Sequence, residues 1–185
     1  MENAKKILIK KVKILNDNTA EIKYTTADDL GKGDITFTGD QEVTGEFKET
    51  FQNCVDGFVG CVPELEKSKN KITMNAIKFD YGKDSDKLQN ALYSVKFKFN
   101  PANNAVINIS TPNLPIYREE FDEKTFCISG KHEQALYEIQ ELAKKYLKGQ
   151  TRTEQLKTVK EDENGNIVIN FNGGGGIRHK NKAMR

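Results

Sequence analysis

The chain has 185 residues, 36% of them hydrophobic and 30% charged, with ten Phe and no Trp. That is the length of about one domain, enough to bury a core without metal or disulfides and to rely on Phe and Tyr for its aromatic packing. A net charge of +2 does not by itself call for nucleic acid, and no apolar run approaches the roughly 18 residues of a membrane helix. The three Cys at irregular spacing, behind an N-terminus without the apolar core of a secretory signal, point to a reducing, cytoplasmic setting.

Ile7 and Ile9 share one parity and Val12 and Ile14 the other, so the first strand is expected to bulge at Lys10-Lys11. Asn16-Asp17-Asn18 has turn chemistry, and Ala20, Ile22 and Tyr24 then alternate with Glu21 and Lys23 in a second strand antiparallel to the first. Asp28 to Lys32 reads as a loop, and Ile35 and Phe37 mark a short third strand before Gly39-Asp40. Phe47, Phe51, Cys54, Val55, Phe58 and Val62 recur at three and four, which predicts a helix over 45–61 with Thr44 as N-cap and Pro63 at its exit. Gly57 and Gly60 weaken its last turn but permit close approach to a sheet.

After the charged link Glu64 to Lys71, Ile72 and Met74 point one way and Ile77, Phe79 and Tyr81 the other, predicting a second bulge near Ala76. Ala91, Tyr93, Val95, Phe97 and Phe99 alternate with Leu92, Ser94, Lys96 and Lys98, the clearest strand pattern in the chain. Asn100 to Asn104 turns it back onto Ala105, Ile107 and Ile109, and the 91–110 hairpin is expected at the centre of the sheet. Pro112 and Pro115 keep the exit extended. Ser129 opens a second amphipathic helix over 131–148, with Leu136, Ile139, Leu142, Ala143 and Tyr146 on its apolar stripe and Gly149 as C-cap.

The expected fold class is α+β, an antiparallel β-sheet with two amphipathic helices on one face in βββα-βββα order. Residues 1–149 form that domain. Residues 150–172 are an extension whose Asn164-Gly165 turn sets Leu156 and Val159 against Ile167, Ile169 and Phe171. Residues 173–185 follow four glycines and carry Arg178, Lys180, Lys182 and Arg185 without an acid, the composition of a flexible basic tail.

No catalytic or cofactor motif stands clear of chance. Cys54, Cys61, Cys127 and His132 invite a zinc reading, but structural zinc takes ligand pairs two to four residues apart, and a Cys on an apolar helix stripe is ordinarily a small buried hydrophobe. Cys127 and His132 as nucleophile and base lack a third group and an oxyanion donor. The glycine run is not followed by the Lys-Ser/Thr and helix of a phosphate-binding loop, and Glu119-Glu120 and Asp28-Asp29 read as solvated loop charge. The expectation is a protein without cofactor, metal or enzymatic activity.

The candidate binding residues are cations: Lys10, Lys11 and Lys13 on the first strand, Lys96 and Lys98 on the strongest one, and Arg178, Lys180, Lys182 and Arg185 in the tail. A groove for single-stranded nucleic acid combines such cations with stacking aromatics. Tyr93, Phe97 and Phe99 lie on the opposite parity from Lys96 and Lys98, which assigns those aromatics to the core.

Ile107-Asn108-Ile109-Ser110-Thr111-Pro112-Asn113-Leu114-Pro115, between a hairpin and a Gly-terminated helix, resembles a group of small uncharacterised proteins encoded by bacteriophages and prophages of low-GC bacteria. The resemblance covers Ile7 to Gly149, and Ser110 stands where the group's pattern has Asn. It implies a phage-type binding protein in the host cytoplasm, with no membrane partner. On that footing the first expectation is an inhibitor of a host nucleic-acid-targeting defence complex, a counter-defence protein of anti-CRISPR type. The alternative is a single-strand-binding accessory protein of phage replication or recombination.

Overall fold

Two meanders set side by side make the sheet, and the bulges foreseen from parity are what allow their inner faces to stay apolar. The computed structural model describes residues 7–26, 33–82, 87–100, 105–119, 126–149, 157–161 and 167–171. The chain divides into two units, Met1–Arg152 and Thr153–Arg185.

In the first unit, β1 (Ile7–Ile14), β2 (Ala20–Thr26) and β3 (Ile35–Thr38) are followed by α1 (Gly45–Asn53), α2 (Val55–Cys61) and a 3-10 segment, Pro63–Lys71. Then come β4 (Ile72–Tyr81), β5 (Leu88–Asn100), β6 (Ala105–Ser110), the two-residue β7 (Leu114–Pro115) and α3 (Gly130–Leu147). The order across the sheet is β3-β2-β1-β4-β5-β6, with β7 also paired to β5, and every pairing is antiparallel. The α+β class and the βββα-βββα order hold. Each meander ends in helix, and the meanders join through their first strands, β1 and β4.

That junction corrects the expected centre. The middle of the sheet is β1–β4, and the 91–110 hairpin lies to one side with β6 at the edge. Alternation reports which face a residue takes but not which strands flank it. The first bulge falls between Ile9 and Lys11 and the second between Met74 and Ala76, as the parity changes require.

The helices pack on the face that carries Ala20, Tyr81 and Tyr93. Ala20 N–H donates to the Tyr146 hydroxyl of α3 at 3.4 Å, the Tyr81 hydroxyl lies 2.9 Å from Gln140 Oε1 of α3, and Gly57 of α2 lies against the Tyr93 ring. A Cβ on Gly57 would come within 2.8 Å of the Tyr93 hydroxyl, so a side chain there would lift α2 off β5. Phe47, Phe51, Phe58, Leu136, Ile139, Ala143 and Tyr146 fill the layer between helices and sheet.

The expected 45–61 helix is two helices. At Cys54 the backbone tightens, its N–H bonding Phe51 O at 3.3 Å, and this re-phases the stripe so that Val55, Phe58 and Val59 face the core. Thr44 caps α1 by accepting from Phe47 N–H at 3.3 Å. Gln52 ties α1 to β4, donating to Ile72 O at 3.0 Å and accepting from Met74 N–H at 3.1 Å beside the second bulge. Ser129 precedes α3 without a side-chain cap bond, and Gly149 ends it with φ +79°, its N–H on Tyr146 O at 2.9 Å.

In the second unit β8 (Lys157–Glu161) pairs antiparallel with β9 (Ile167–Phe171), Val159 opposite Ile169. Leu156, the Asn164-Gly165 turn and the basic tail lie outside the described residues, and so do Asp28 to Lys32.

Candidate functional site: the helix-free face of the sheet

Residues directly opposite each other in an antiparallel ladder share a face, so the register decides which of the candidate lysines belong together. Lys11 lies opposite Lys23 on β2 and opposite Lys78 on β4, which sets three lysines abreast on neighbouring strands. Lys13, two residues on, faces Glu21 and Ala76, while Lys96 faces Thr73 and Asn108, and Lys98 faces Val106. The residues between them, Val12, Ile22, Ile77 and Val95, are buried under the helices. Six lysines therefore point away from the helix layer in a band from β2 to β5.

Like charges directly opposite each other destabilise a sheet. Part of that cost is relieved locally: Lys11 donates to Glu21 at 2.7 Å, and Lys23 approaches Asp34 at 4.0 Å. The Lys11 hydrogen bond holds the Glu21 carboxyl below its ordinary pKa. Lys13, Lys78, Lys96 and Lys98 have no carboxylate within 4 Å among the described residues. Asp80 shares the face but accepts from the amides of Asn90 (3.0 Å) and Asn113 (3.2 Å).

Where β1 turns into β2 the band deepens into a hollow of about 320 Å³, lined by Lys13, Ile14, Leu15, Asn16, Asp17 and Lys96. Lys96 Nζ donates to Asn16 Oδ1 at 3.4 Å, holding its ammonium over the hollow. Asp17 is engaged by Thr19, whose hydroxyl (2.8 Å) and N–H (3.1 Å) donate to its carboxylate and keep its pKa low.

Lys11, Lys13, Lys96 and Lys98 are thus brought together. Lys10 is not: at the bulge its ammonium sits 5.0 Å from the centre of the Tyr81 ring, a cation–π contact away from the band. Arg178, Lys180, Lys182 and Arg185 lie outside the described residues. Lys23 and Lys78 were missed. Their signal was present, each lying between apolar residues of opposite parity, but only strand pairing puts them beside Lys11.

The aromatics divide differently from the sequence expectation. Tyr93 is fully buried and Phe97 partly so, while Phe99 is 69% exposed, its ring edge-on to Phe97 at 6.5 Å. Phe99 stands where the β5–β6 register shifts between Lys98 and Asn100, near the end of the strand, and the parity that buries Tyr93 leaves it uncovered.

The thiol and imidazole candidates do not form a centre. Among the described residues no group of three or more His, Cys, Asp or Glu side chains converges to hold a metal. Burial pushes the Cys54 thiol up to about 12 and that of Cys61 to about 11, which keeps both protonated at neutral pH. Burial and then neighbouring Lys131 hold His132 below its ordinary value. A larger open depression of about 540 Å³ between α1, α2 and the 3-10 segment has mixed charge, and Asp56 in it is paired with Lys69 at 2.5 Å.

No protein-family model, curated protein or solved structure matches the chain. Among the described residues no helix is long and apolar enough to cross a membrane.

Proposed function

We propose that the chain is a non-enzymatic binding protein whose helix-free sheet face docks on the phosphate backbone of a nucleic acid. The observation that carries this reading is the row Lys23–Lys11–Lys78 with Lys13, Lys96 and Lys98 beyond it. Such a row costs folding energy and is repaid by an anion. No buried aromatic of the core reaches this face to stack a base, so the reading is contact with phosphates and not readout of sequence. The sign of the charge also argues against a mimic of nucleic acid, which would have to be acidic to fill a nucleic-acid channel. In the phage setting, covering the backbone of a guide or target strand held by a host defence complex would block that complex, and covering free strands would serve replication.

Fluorescence anisotropy of labelled single-stranded and duplex DNA across a salt series tests it. With about six phosphate contacts the slope of log K against log salt on duplex is about −5. K78A and K96A are each expected to reduce that slope by about one. Absence of binding at low salt, or a slope that neither variant changes, refutes the reading. So does capture of a host complex that survives complete nuclease digestion, because the partner surface would then be protein.

A further inference from the structure

The two edges of the sheet are built differently. At β3 the edge is only Ile35–Thr38, and Asp34 and Asp40 flank it, the short and charged form that discourages pairing with another chain. At β6 the edge is Ala-Val-Ile-Asn-Ile-Ser, with no charge, no proline and no bulge inside 106–110. Val106 and Ile107 are 47% and 48% exposed, and among the described residues no strand pairs with β6 on its outer side.

The ladder identifies which backbone groups that edge offers. Thr111 N–H donates to Tyr93 O at 3.0 Å, so Tyr93–Thr111 is a hydrogen-bonded pair, and by alternation Val95–Ile109 and Phe97–Ile107 are too. Ile107 and Ile109 therefore spend their N–H and C=O on β5. Those of Val106, Asn108 and Ser110 point outward.

We propose that β6 pairs with β6 of a second copy of this chain, antiparallel about a two-fold axis at Asn108. In that register Asn108 pairs with its own counterpart and Val106 with the other copy's Ser110, which satisfies every outward group of the three residues. On the helix side Ile107 meets Ile109, burying the exposed isoleucine. No charge opposes a like charge, since the nearest lysines, Lys96 of each copy, stand three strand spacings or about 14 Å apart, beyond a screening length of about 8 Å at physiological salt. The axis is perpendicular to the sheet, so both lysine bands lie on one side of a continuous sheet. The pairing consumes both β6 edges, so the assembly closes at two copies.

Sedimentation velocity on the full chain without nucleic acid, over a concentration series, tests the pairing independently of any DNA affinity. N108P removes the central outward N–H and leaves the β5 ladder intact, a change tolerated on an edge strand. V106K adds an edge charge by a different route. The expected result is a concentration-dependent monomer–dimer equilibrium whose dissociation constant rises at least about ten-fold in both variants, with circular dichroism unchanged in at least one of them. A wild-type chain that stays monomeric overturns the proposal, including the case in which it is monomeric yet takes up a foreign strand. Species larger than dimers overturn it, and so does a dimer that a folded V106K leaves intact.

Discussion

Replacing Gly39 with Ala tests how tightly α3 is locked to the first meander. Gly39 is buried just after β3, its N–H on Ala20 O at 2.9 Å. A Cβ there would lie 2.6 Å from Cε1 and Cζ of Tyr146 and nearer still to its hydroxyl. Tyr146 has nowhere to go: it is fully buried, donates to Gln41 O, accepts from Ala20 N–H at 3.4 Å, and meets Phe37 and Phe47 edge-on at 6.1 Å each. Forcing a methyl into such packing costs about 1–3 kcal/mol, and displacing a hydroxyl that makes two hydrogen bonds costs about 1 kcal/mol for each bond. G39A is therefore expected to lose about 3–5 kcal/mol in urea unfolding at unchanged m-value, which at this chain length lowers the melting temperature by about 10 °C. Y146F removes the closest clashing atom, so the double variant is expected to be more stable than the sum of the single losses by about 1 kcal/mol or more. A G39A protein within about 0.5 kcal/mol of wild type, or a strictly additive cycle, refutes the account of this contact.

Two further substitutions separate satisfied from unsatisfied polar groups. The Tyr81 hydroxyl has one proton for two acceptors, Ile9 O at 3.0 Å and the buried Gln140 Oε1 at 2.9 Å, and Gln140 Nε2 has no partner among the described residues. Q140L is expected within about 1 kcal/mol of wild type and Y81F to cost about 1–3 kcal/mol; the reverse order by thermal denaturation would show that the amide is fully bonded. Lowering of the Glu21 pKa by Lys11 means its contribution to stability is complete above the unfolded carboxyl's pKa and is lost as pH falls through the folded value. E21Q should thus cost at most about 1 kcal/mol at neutral pH, converge with wild type in acid, and bind polyanions more tightly because Lys11 is released. Equal affinity of E21Q and wild type for duplex DNA would remove Lys11 from the docking face.

What the sequence by itself determined is what local periodicity and capping encode. Parity assigned Val12 and Ile22 to one face and Lys11, Lys13, Lys96 and Lys98 to the other, and the parity breaks located two of the register shifts, while those at Asp80/Tyr81 and Lys98/Asn100 left no such mark. The three-and-four spacing picked out Phe47, Phe51, Leu136 and Ile139, with Thr44 and Gly149 at the helix ends. Each of these signals is carried within a few residues of chain. Tertiary structure decided the rest, because it depends on which distant segments become neighbours. Pairing of β1 with β4 placed Lys78 beside Lys11 and moved the centre of the sheet away from the 91–110 hairpin. Packing of α2 on Tyr93 and the register shift at Phe99 decided that the first is buried and the second exposed on the same parity, and the position of Tyr81 decided that a polar Gln140 lies inside the core. The candidate site was legible only as lysines of one parity, since no spacing within a strand records that three of them stand abreast across three strands.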